Sequence, residues 1–374
     1  MNFEKVWLID FLKDGEQHAD FYLGVISVLR QLTLINRAFF KKSSICLKNL
    51  DKKTKTFILK SHRNKIFMHI YLFNLIFNIF IKAFLKKPKN VIFLQVLPVH
   101  YPLVSILRLF VPKTNILICM AGELSFLGRR DLNFLQKIYK KCILISLKMN
   151  LSKIKNLKFL CLEKRVFDNL KKLGMNENLV DHIQHYIFRD YSPKLYVERS
   201  RKKYAASIGV HSKLKNSQDI YKLLSFNQNK YSLATSGLSD DTFKYKENNN
   251  IKHFFEGTVQ SRYIPVDILF KNIEENIEVV LFFHTGASGY EYVCSGQIYD
   301  LIWLRKPAIC FKNSPLAKYK NYFDFPIYTV DNIQQMNDKL IEIFNSGKDN
   351  EKFNISNYDL RNLALKKWRK ILYL

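Results

Sequence analysis

The densest group of residues that could do chemistry lies in residues 285–307, TGASGYEYVCSGQIYDLIWLRKP. The apolar run Val279–Phe283 precedes it and is typical of a buried strand. Ser295 and Gly296 then begin a predicted helix. Small residues at a helix start let backbone N–H groups approach an anion, and the helix dipole favours a phosphate there. Asp300 follows about one turn later, where it either supports the loop or reaches a ribose hydroxyl.

A serine and a glycine begin helices in many proteins, so that pair alone indicates little. The whole segment, however, resembles the donor domain of GT-B glycosyltransferases. In that family a Tyr or Pro loop precedes Ser-Gly, an acidic residue follows one turn later, and a Gly-Lys-Pro type turn enters the next strand. The matching residues are Tyr290, Ser295, Gly296, Asp300 and Lys306-Pro307. The resemblance implies that Ser295 and Gly296 hold the diphosphate of a nucleotide-sugar donor.

Two further runs resemble the same donor domain. The run SIGVHSKLK, which ends at Lys215, resembles its first strand and loop. A basic residue commonly neutralises the diphosphate there, which implies that role for Lys213 or Lys215. The run FFEGTV resembles the strand and turn whose following residues contact the nucleotide base, which implies base contacts around Gly257–Val259.

One part of the family pattern differs in this chain. Retaining members often carry two glutamates eight residues apart in the donor segment. The corresponding positions here hold Tyr292 and Asp300, and Glu291 is displaced by one. Retention and inversion of the anomeric centre therefore both stay open.

Residues of the first half are candidates for proton transfer with the acceptor. Glu16 and His18 lie in the loop KDGEQHAD after the first predicted strand, where the family places an acceptor-side loop. Glu123 lies in CMAGEL, which resembles a His-Gly-Glu-Leu turn with Met120-Ala121 in place of the histidine. A carboxylate or an imidazole can take a proton from a hydroxyl, so Glu16, His18 and Glu123 are unranked catalytic candidates.

Short apolar strands alternate with helical patterns on both sides of a polar stretch, as in a parallel sheet that is covered on both faces. In the first half we predict strands at 6–10, 90–97 and 115–120 and helices at 21–32, 64–87, 101–110, 131–149 and 163–173. In the second half we predict strands at 204–210, 231–235, 252–256, 279–283 and 307–311 and helices at 217–226, 264–276, 295–304, 334–345 and 359–372.

The repeated alternation predicts an α/β fold with two Rossmann-like doubly wound domains facing one cleft, the GT-B arrangement. We expect an acceptor-binding domain over 1–190, a linker over 191–203 and a nucleotide-sugar-binding domain over 204–345. Residues 346–374 should form a C-terminal helix that packs back towards the first domain.

The chain is strongly basic, with a net charge of +28, and residues 1–190 account for +20 of it. Nucleic acid, an anionic membrane surface and phosphorylated small molecules are all compatible partners. The six cysteines are scattered without metal-ligand spacing, which favours reduced thiols in the cytoplasm. The N-terminus lacks the pattern of a signal peptide, and we expect the chain to stay in the cytoplasm.

Residues 66–84 form the longest apolar stretch and are flanked by lysines and arginine. Asn74, Asn78 and Lys82 recur every four residues and would form one polar stripe on a helix. This pattern favours a core helix of the first domain over a helix in the membrane interface. A spanning helix is the least favoured alternative.

The GT-B resemblance, taken with these features, implies a hexosyltransferase that moves sugar from a UDP- or GDP-sugar to a glycan or lipid-diphosphate-linked acceptor, in bacterial O-antigen or capsule biosynthesis. We expect peripheral association with the inner face of the plasma membrane. We also expect no metal, because no Asp-x-Asp lies near a strand end. The alternatives are a basic nucleic-acid-binding protein, which lacks a recognition motif here, and a two-domain sugar-nucleotide epimerase.

Overall fold

The computed structural model describes residues 5–12, 19–60, 64–149, 156–188, 203–227, 230–246, 250–285, 289–346 and 353–372. The chain divides into two compact units. Unit 1 comprises Met1–Phe188, Tyr292–Cys294 and Tyr358–Leu374, and unit 2 comprises Arg189–Glu291 and Ser295–Asn357.

Unit 1 is built on a seven-stranded parallel sheet in the order β3-β2-β1-β4-β5-β6-β7. Its strands are β1 (Lys5–Asp10), β2 (Leu34–Lys41), β3 (Lys55–Leu59), β4 (Asn90–Gln95), β5 (Asn115–Met120), β6 (Leu157–Cys161) and β7 (Val180–His182). Its connecting helices are α1 (Ala19–Leu32), α2 (Lys65–Lys86), α3 (Tyr101–Leu107), α4 (Ser125–Gly128), α5 (Phe134–Lys148) and α6 (Lys164–Lys172). Short 3-10 turns at Pro98–His100, Arg108–Phe110 and Gly122–Leu124 follow β4, α3 and β5.

The central strands of this sheet read as unbroken apolar runs because helices cover both faces. Residues 6–10 of β1 are all buried, and so are residues 116–120 of β5. Four strands of this sheet were not predicted, namely β2, β3, β6 and β7. Asn36 and Arg37 interrupt the apolar run of β2, and the edge strand β3 exposes most of its side chains. No continuous apolar run therefore marks β2 or β3.

Unit 2 has a six-stranded parallel sheet in the order β10-β9-β8-β11-β12-β13. Its strands are β8 (Tyr204–Ile208), β9 (Ser232–Ser236), β10 (Ile251–His253), β11 (Ile277–Phe282), β12 (Ala308–Phe311) and β13 (Ile327–Val330). Its α-helices are α7 (Leu224–Asn227), α8 (Val266–Asn276), α9 (Gly296–Leu304) and α10 (Ile333–Ser346). The helix predicted at 217–226 is instead a 3-10 helix, Ser217–Leu223, that runs into α7. β13 was not predicted.

The last helix, α11 (Asn357–Leu372), lies almost entirely in unit 1. Trp368 is buried and lines a small cavity together with Phe21 and Tyr186. Lys367 forms an ion pair with Asp181 at 2.6 Å. Burial alone would raise the pKa of the Asp181 carboxyl, but hydrogen bonds from His182 and Lys367 hold that pKa well below its ordinary value. The helix is thus attached to unit 1 by both packing and charge.

Unit 1 also includes a short segment that immediately precedes α9. The carbonyl of Val293 accepts a hydrogen bond of 2.7 Å from Nη2 of Arg165. Arg165 and Glu163 form an ion pair of 2.7 Å in which both side chains are only 2% exposed. Because a buried guanidinium is costly without partners, this arrangement fixes residues 292–294 on unit 1, one residue before Ser295.

The apolar stretch at 66–84 forms most of α2, and its core-facing interpretation describes only one of its sides. Leu72, Ile76 and Phe80 are buried in the core of unit 1. The other side exposes large apolar residues, among them Phe73 and Phe77. Among the described residues, α2 is the one helix whose length and composition would allow it to cross a membrane.

We expect that Trp368→Ala will destabilise the protein by about 3–5 kcal/mol, because it leaves a cavity between α11 and α1. Thermal and urea unfolding of the purified protein measure this loss. Leu363→Ala on the same helix is the matched control, since Leu363 is 48% exposed, and it should change the free energy of unfolding by less than about 0.5 kcal/mol. Equal effects of the two substitutions would contradict the placement of α11.

Candidate functional site

Each sheet has one position where the strand order reverses, and ligands of doubly wound folds bind beside the carboxyl ends of the strands at such a position. In unit 1 the order reverses between β1 and β4, and in unit 2 between β8 and β11. The candidate site residues described below lie at or near these two places.

The unit 1 position opens into a cavity of about 260 Å³. Its walls combine residues at or just after the ends of β1, β4, β5 and β6 with residues of α1, α4 and α5, and most of the lining side chains are apolar or aromatic. The lining residues are Leu12, Phe21, Tyr22, Gln95, Val96, Leu97, Pro98, Ala121, Gly122, Glu123, Phe126, Tyr139 and Leu162. The cavity therefore suits a ligand that presents both an apolar surface and hydroxyl groups.

Glu123 is the carboxylate of this cavity. It lies in the 3-10 turn after β5, is 9% exposed, and accepts a hydrogen bond of 2.7 Å from the Tyr101 hydroxyl. Burial, with the Glu123 charge beside it, raises the pKa of Tyr101 well above its ordinary value, so the phenol stays a donor. On the facing side the Tyr22 hydroxyl donates to Oε1 of Gln95 at 2.9 Å. The other two predicted catalytic residues, Glu16 and His18, lie outside the described residues.

In unit 2 the loops after β8, β9 and β10 are held together beyond the strand ends. The His211 amide donates to Leu238 O and the Val259 amide donates to Ser239 O, at 2.8 and 2.9 Å. Gly237 has φ +155°, and a Cβ on it would overlap the Gly209 carbonyl oxygen. The two loops approach this closely only because neither position carries a side chain.

A cationic and imidazole-rich group occupies the carboxyl ends of β8 and β11. His211 follows β8, His284 follows β11, and Lys215 follows His211 in the same loop. Burial lowers the pKa of both imidazoles to about 3, and the Lys215 charge adds to both shifts. Asn216 links the two loops, because its side-chain amide nitrogen donates to Phe283 O at 3.1 Å.

The electrostatics of this group suit an anion. Burial lowers the pKa of Lys215 to about 8, although Asp240 opposes the shift, so its ammonium still carries a positive charge at pH 7. Among the described residues, Nε2 of His211 and both ring nitrogens of His284 have no hydrogen-bond partner. A neutral imidazole has one N–H to donate, so phosphate oxygens could accept one hydrogen bond from each ring and would offset the lysine charge.

The helix α9 begins beside this group. Ser295 is its N-cap, but the Ser295 amide donates to the Tyr319 hydroxyl at 2.8 Å, and its side chain makes no capping hydrogen bond. Gly296 is exposed, and a Cβ on it would meet nothing within 4 Å. The side chain of Gln297 donates to Ile208 O, which ties the first turn of α9 to the end of β8. Gly296 is therefore better placed than Ser295 to offer a backbone amide to a ligand.

The remaining predicted donor residues lie around the same strand ends. The Tyr290 ring contacts His284 edge-on, with 4.7 Å between the centroids. Asp300 is half-buried on α9, and Val259 is exposed beyond β10. Gly257 has φ +116° and its carbonyl accepts from the Ser239 amide at 2.9 Å.

The two lysine candidates differ sharply. The Lys213 side chain is exposed, and its backbone amide donates to Thr242 at 2.8 Å. The Lys215 charge instead acts on both buried histidines, where it adds to the lowering of the imidazole pKa by burial. Lys306 is distant from this group, because it precedes β12 and its ammonium donates to Glu274 O near the end of α8 at 3.1 Å. A cation is stabilised by the carbonyl end of a helix, so Lys306 has a structural role.

Sequence reasoning missed His211 and His284 as members of the site. Both follow directly on predicted strands, and that position was the available signal. The sequence did not show that these two strands are neighbours. Within the described ranges, no group of three or more His, Cys, Asp or Glu residues is arranged to hold a metal ion.

No family model and no curated protein sequence matches the chain. Solved structures do resemble it over its full length. HepE from Anabaena in complex with UDP has a TM-score of 0.60 at 9% identity and covers 99% of this chain and 100% of its own. A glycosyltransferase from Rickettsia africae has a TM-score of 0.57 at 14% identity, covering 100% and 94%. The lipopolysaccharide outer core galactosyltransferase WaaB has a TM-score of 0.56 at 11% identity, covering 99% of each. These likenesses confirm the predicted α/β class and the GT-B fold.

We expect that Gly237→Ala will destabilise unit 2 by at least about 2 kcal/mol, since the new methyl group would overlap the backbone of the neighbouring loop. Gly122→Ala is the control, because a Cβ there would meet nothing within 4 Å; its effect should stay within about 0.5 kcal/mol. Urea unfolding followed by circular dichroism measures both. A Gly237→Ala protein as stable as the wild type would show that the loops do not approach as described.

Proposed function

We propose that this chain, which has the GT-B fold, is a glycosyltransferase that binds a nucleoside diphosphate sugar in unit 2 and a hydroxyl acceptor in unit 1. The observation that carries the proposal is the buried group at the ends of β8 and β11. It joins the charged Lys215 to two imidazoles, and Nε2 of His211 and both ring nitrogens of His284 have no hydrogen-bond partner among the described residues. The UDP complex of the similarly folded HepE supports the same ligand class.

The diphosphate would lie between this group and the start of α9. Lys215 would neutralise one phosphate, His211 and His284 would donate to its oxygens, and the Gly296 amide with the helix dipole would stabilise the other. A nucleoside diphosphate leaves readily once its developing charge is stabilised in this way. Because the lysine and the helix supply that stabilisation, we propose a metal-independent reaction. Gly257, Val259, Tyr290 and Asp300 would contact the base, the sugar or the ribose.

The acceptor would enter the unit 1 cavity, where Glu123 faces its hydroxyl group. The acceptor oxygen forms a bond to the anomeric carbon, and the bond between that carbon and the diphosphate oxygen breaks, with its electron pair leaving on the diphosphate. Glu123 accepts the hydroxyl proton, and Tyr101 holds the carboxylate in place.

The mixed lining of that cavity supports a glycan or lipid-linked glycan acceptor of a surface polysaccharide such as O-antigen or capsule. WaaB acts on the lipopolysaccharide outer core and has a similar fold, which supports the same class of pathway. We place the reaction in the cytoplasm. In support, all six cysteines lie among the described residues and none forms a disulfide.

We expect Lys215→Met to weaken the binding of UDP or GDP about 10- to 100-fold, because a charge-assisted hydrogen bond to phosphate is lost. Isothermal titration calorimetry with each nucleotide measures the change and identifies the base. Lys213→Met is the matched control and should stay within about twofold, since its side chain is exposed. EDTA should leave the wild-type dissociation constant unchanged. The proposal fails if no nucleotide binds while a short oligonucleotide binds in a salt-sensitive manner.

The same lysine predicts a pH dependence. The pKa of Lys215 is lowered to about 8 in the unliganded protein, so the cation that binds phosphate is lost as the pH rises through that value. We expect nucleotide affinity to fall about tenfold between pH 7 and pH 9 in the wild type. Lys215→Met should show a flat profile over this range. A flat wild-type profile would mean that Lys215 does not contact the ligand.

We expect Glu123→Gln to lower kcat about 10²- to 10⁴-fold with little change in nucleotide affinity, because the amide keeps the contact with Tyr101 but accepts no proton. The exposed Glu177→Gln in the same unit is the control and should leave kcat unchanged. The titrations identify the nucleotide first. The rates of both variants are then measured as release of that nucleoside diphosphate from its nucleotide sugars in the presence of acceptor glycans. Full activity of Glu123→Gln would transfer the role of base to Glu16 or His18.

A further inference from the structure

One side of α2 exposes a row of large apolar residues. Phe67, Ile70, Phe73, Phe77, Ile81 and Phe84 are spaced three or four residues apart, and each is between 47% and 63% exposed. Residues at this spacing share one face of a helix, so the six side chains form a single strip, which we name the α2 apolar face. Single exposed apolar residues are ordinary, whereas a continuous strip of this length marks an interaction surface.

The opposite side of α2 fixes the helix against unit 1. Leu72, Ile76, Ile79, Phe80 and Ala83 are at most 3% exposed and belong to the core of the unit. The helix is long and apolar enough to span a bilayer. It cannot leave the unit, however, without exposing these core residues. A helix in this position lies along a surface rather than crossing a membrane.

The strip continues onto the neighbouring element. α2 packs beside α3 and beside the 3-10 turn Arg108–Phe110. Ile106, Leu109 and Phe110 on these two elements are 54–62% exposed. The exposed apolar surface thus extends over two successive helical segments of unit 1.

The charge around this surface has one sign. Residues 52–122 contain 12 Lys or Arg and no Asp or Glu, a net charge of +12 over the segment that holds α2 and α3. Lys82, Lys86, Lys87 and Lys89 are all exposed along or just after α2. An anionic bilayer suits this surface, because its acyl chains can contact the apolar side chains while its negatively charged head groups contact the lysines. A second copy of this chain would instead bring two positive surfaces together.

We propose that unit 1 binds the surface of an anionic phospholipid bilayer through the α2 apolar face and Ile106, Leu109 and Phe110. The helix lies parallel to the membrane, its apolar strip enters the head-group region, and the lysines contact lipid phosphates. This interaction goes beyond the proposed transfer reaction and does not depend on it. None of these residues lines the unit 1 cavity or belongs to the unit 2 group of His211, Lys215 and His284.

Co-sedimentation with vesicles tests the interaction. We expect the full-length protein to bind vesicles of phosphatidylcholine with phosphatidylglycerol, and to bind pure phosphatidylcholine vesicles much more weakly. The double substitution Phe73→Ser/Phe77→Ser should weaken binding to the anionic vesicles at least about tenfold, because two rings that enter the bilayer on binding are lost. Ile268→Ser is the matched control: Ile268 is 53% exposed but lies on α8 in unit 2, so binding should not change.

The lysines are tested separately. Lys86→Gln/Lys87→Gln should reduce the preference for anionic vesicles about fivefold for each charge removed, and rising salt should reduce the wild-type preference in the same direction. Unfolding curves and UDP titration of each variant report whether the fold and unit 2 are intact, so loss of vesicle binding is distinguishable from failure of the proposed activity.

Three outcomes would overturn the proposal. In the first, the wild type sediments with neither vesicle type; in the second, Phe73→Ser/Phe77→Ser sediments as the wild type does. In the third, the wild type is a dimer in size-exclusion chromatography and Phe73→Ser/Phe77→Ser is a monomer without any effect on vesicle binding. That result would assign the α2 apolar face to a second copy of the chain.

Discussion

The parallel pairing of the strands is the constraint on which the rest of this structure depends. Each strand pair in the two sheets is parallel, so every connection must cross over the sheet, and the helices in these connections cover both faces. The faces are then filled with apolar side chains, and polar groups remain at the strand ends. Where the strand order reverses, neighbouring connections diverge and leave an open position. Glu123 and the group around Lys215 both lie at such positions, although they share no sequence similarity.

Burial then determines what the unit 2 group can do. In water a lysine and two histidines would give a diffuse positive charge at mildly acidic pH. Here burial and the Lys215 charge keep both imidazoles neutral, so the positive charge at pH 7 is concentrated on one ammonium. A single cation beside neutral N–H donors and a helix start can bind a dianionic leaving group without the repulsion of three clustered charges.

In the proposed function unit 2 would bind the donor, and unit 1 would supply both the general base and the membrane-binding face. The basic excess of the chain lies mainly in its first half, which forms most of unit 1. α2 combines a core face with an exposed apolar face. The helix that completes the unit 1 core therefore also supplies the proposed membrane-binding surface. An enzyme that extends a lipid-linked glycan would gain from this arrangement, because a bound bilayer raises the local concentration of acceptor.

The sequence alone determined the α/β class and most of the interior elements. β5 was predicted with its observed bounds and α9 within one residue, because a buried parallel strand is a continuous apolar run and small residues mark the start of the helix. It did not reveal β2 or β3, whose polar residues reflect their place near the edge of the sheet. Only the tertiary structure distinguished Lys215 from Lys213 and placed His211 and His284 at the ends of paired strands, since these choices depend on which strands become neighbours. The exposed half of α2 was likewise decided by packing, because an apolar helix does not specify which of its sides the core will cover.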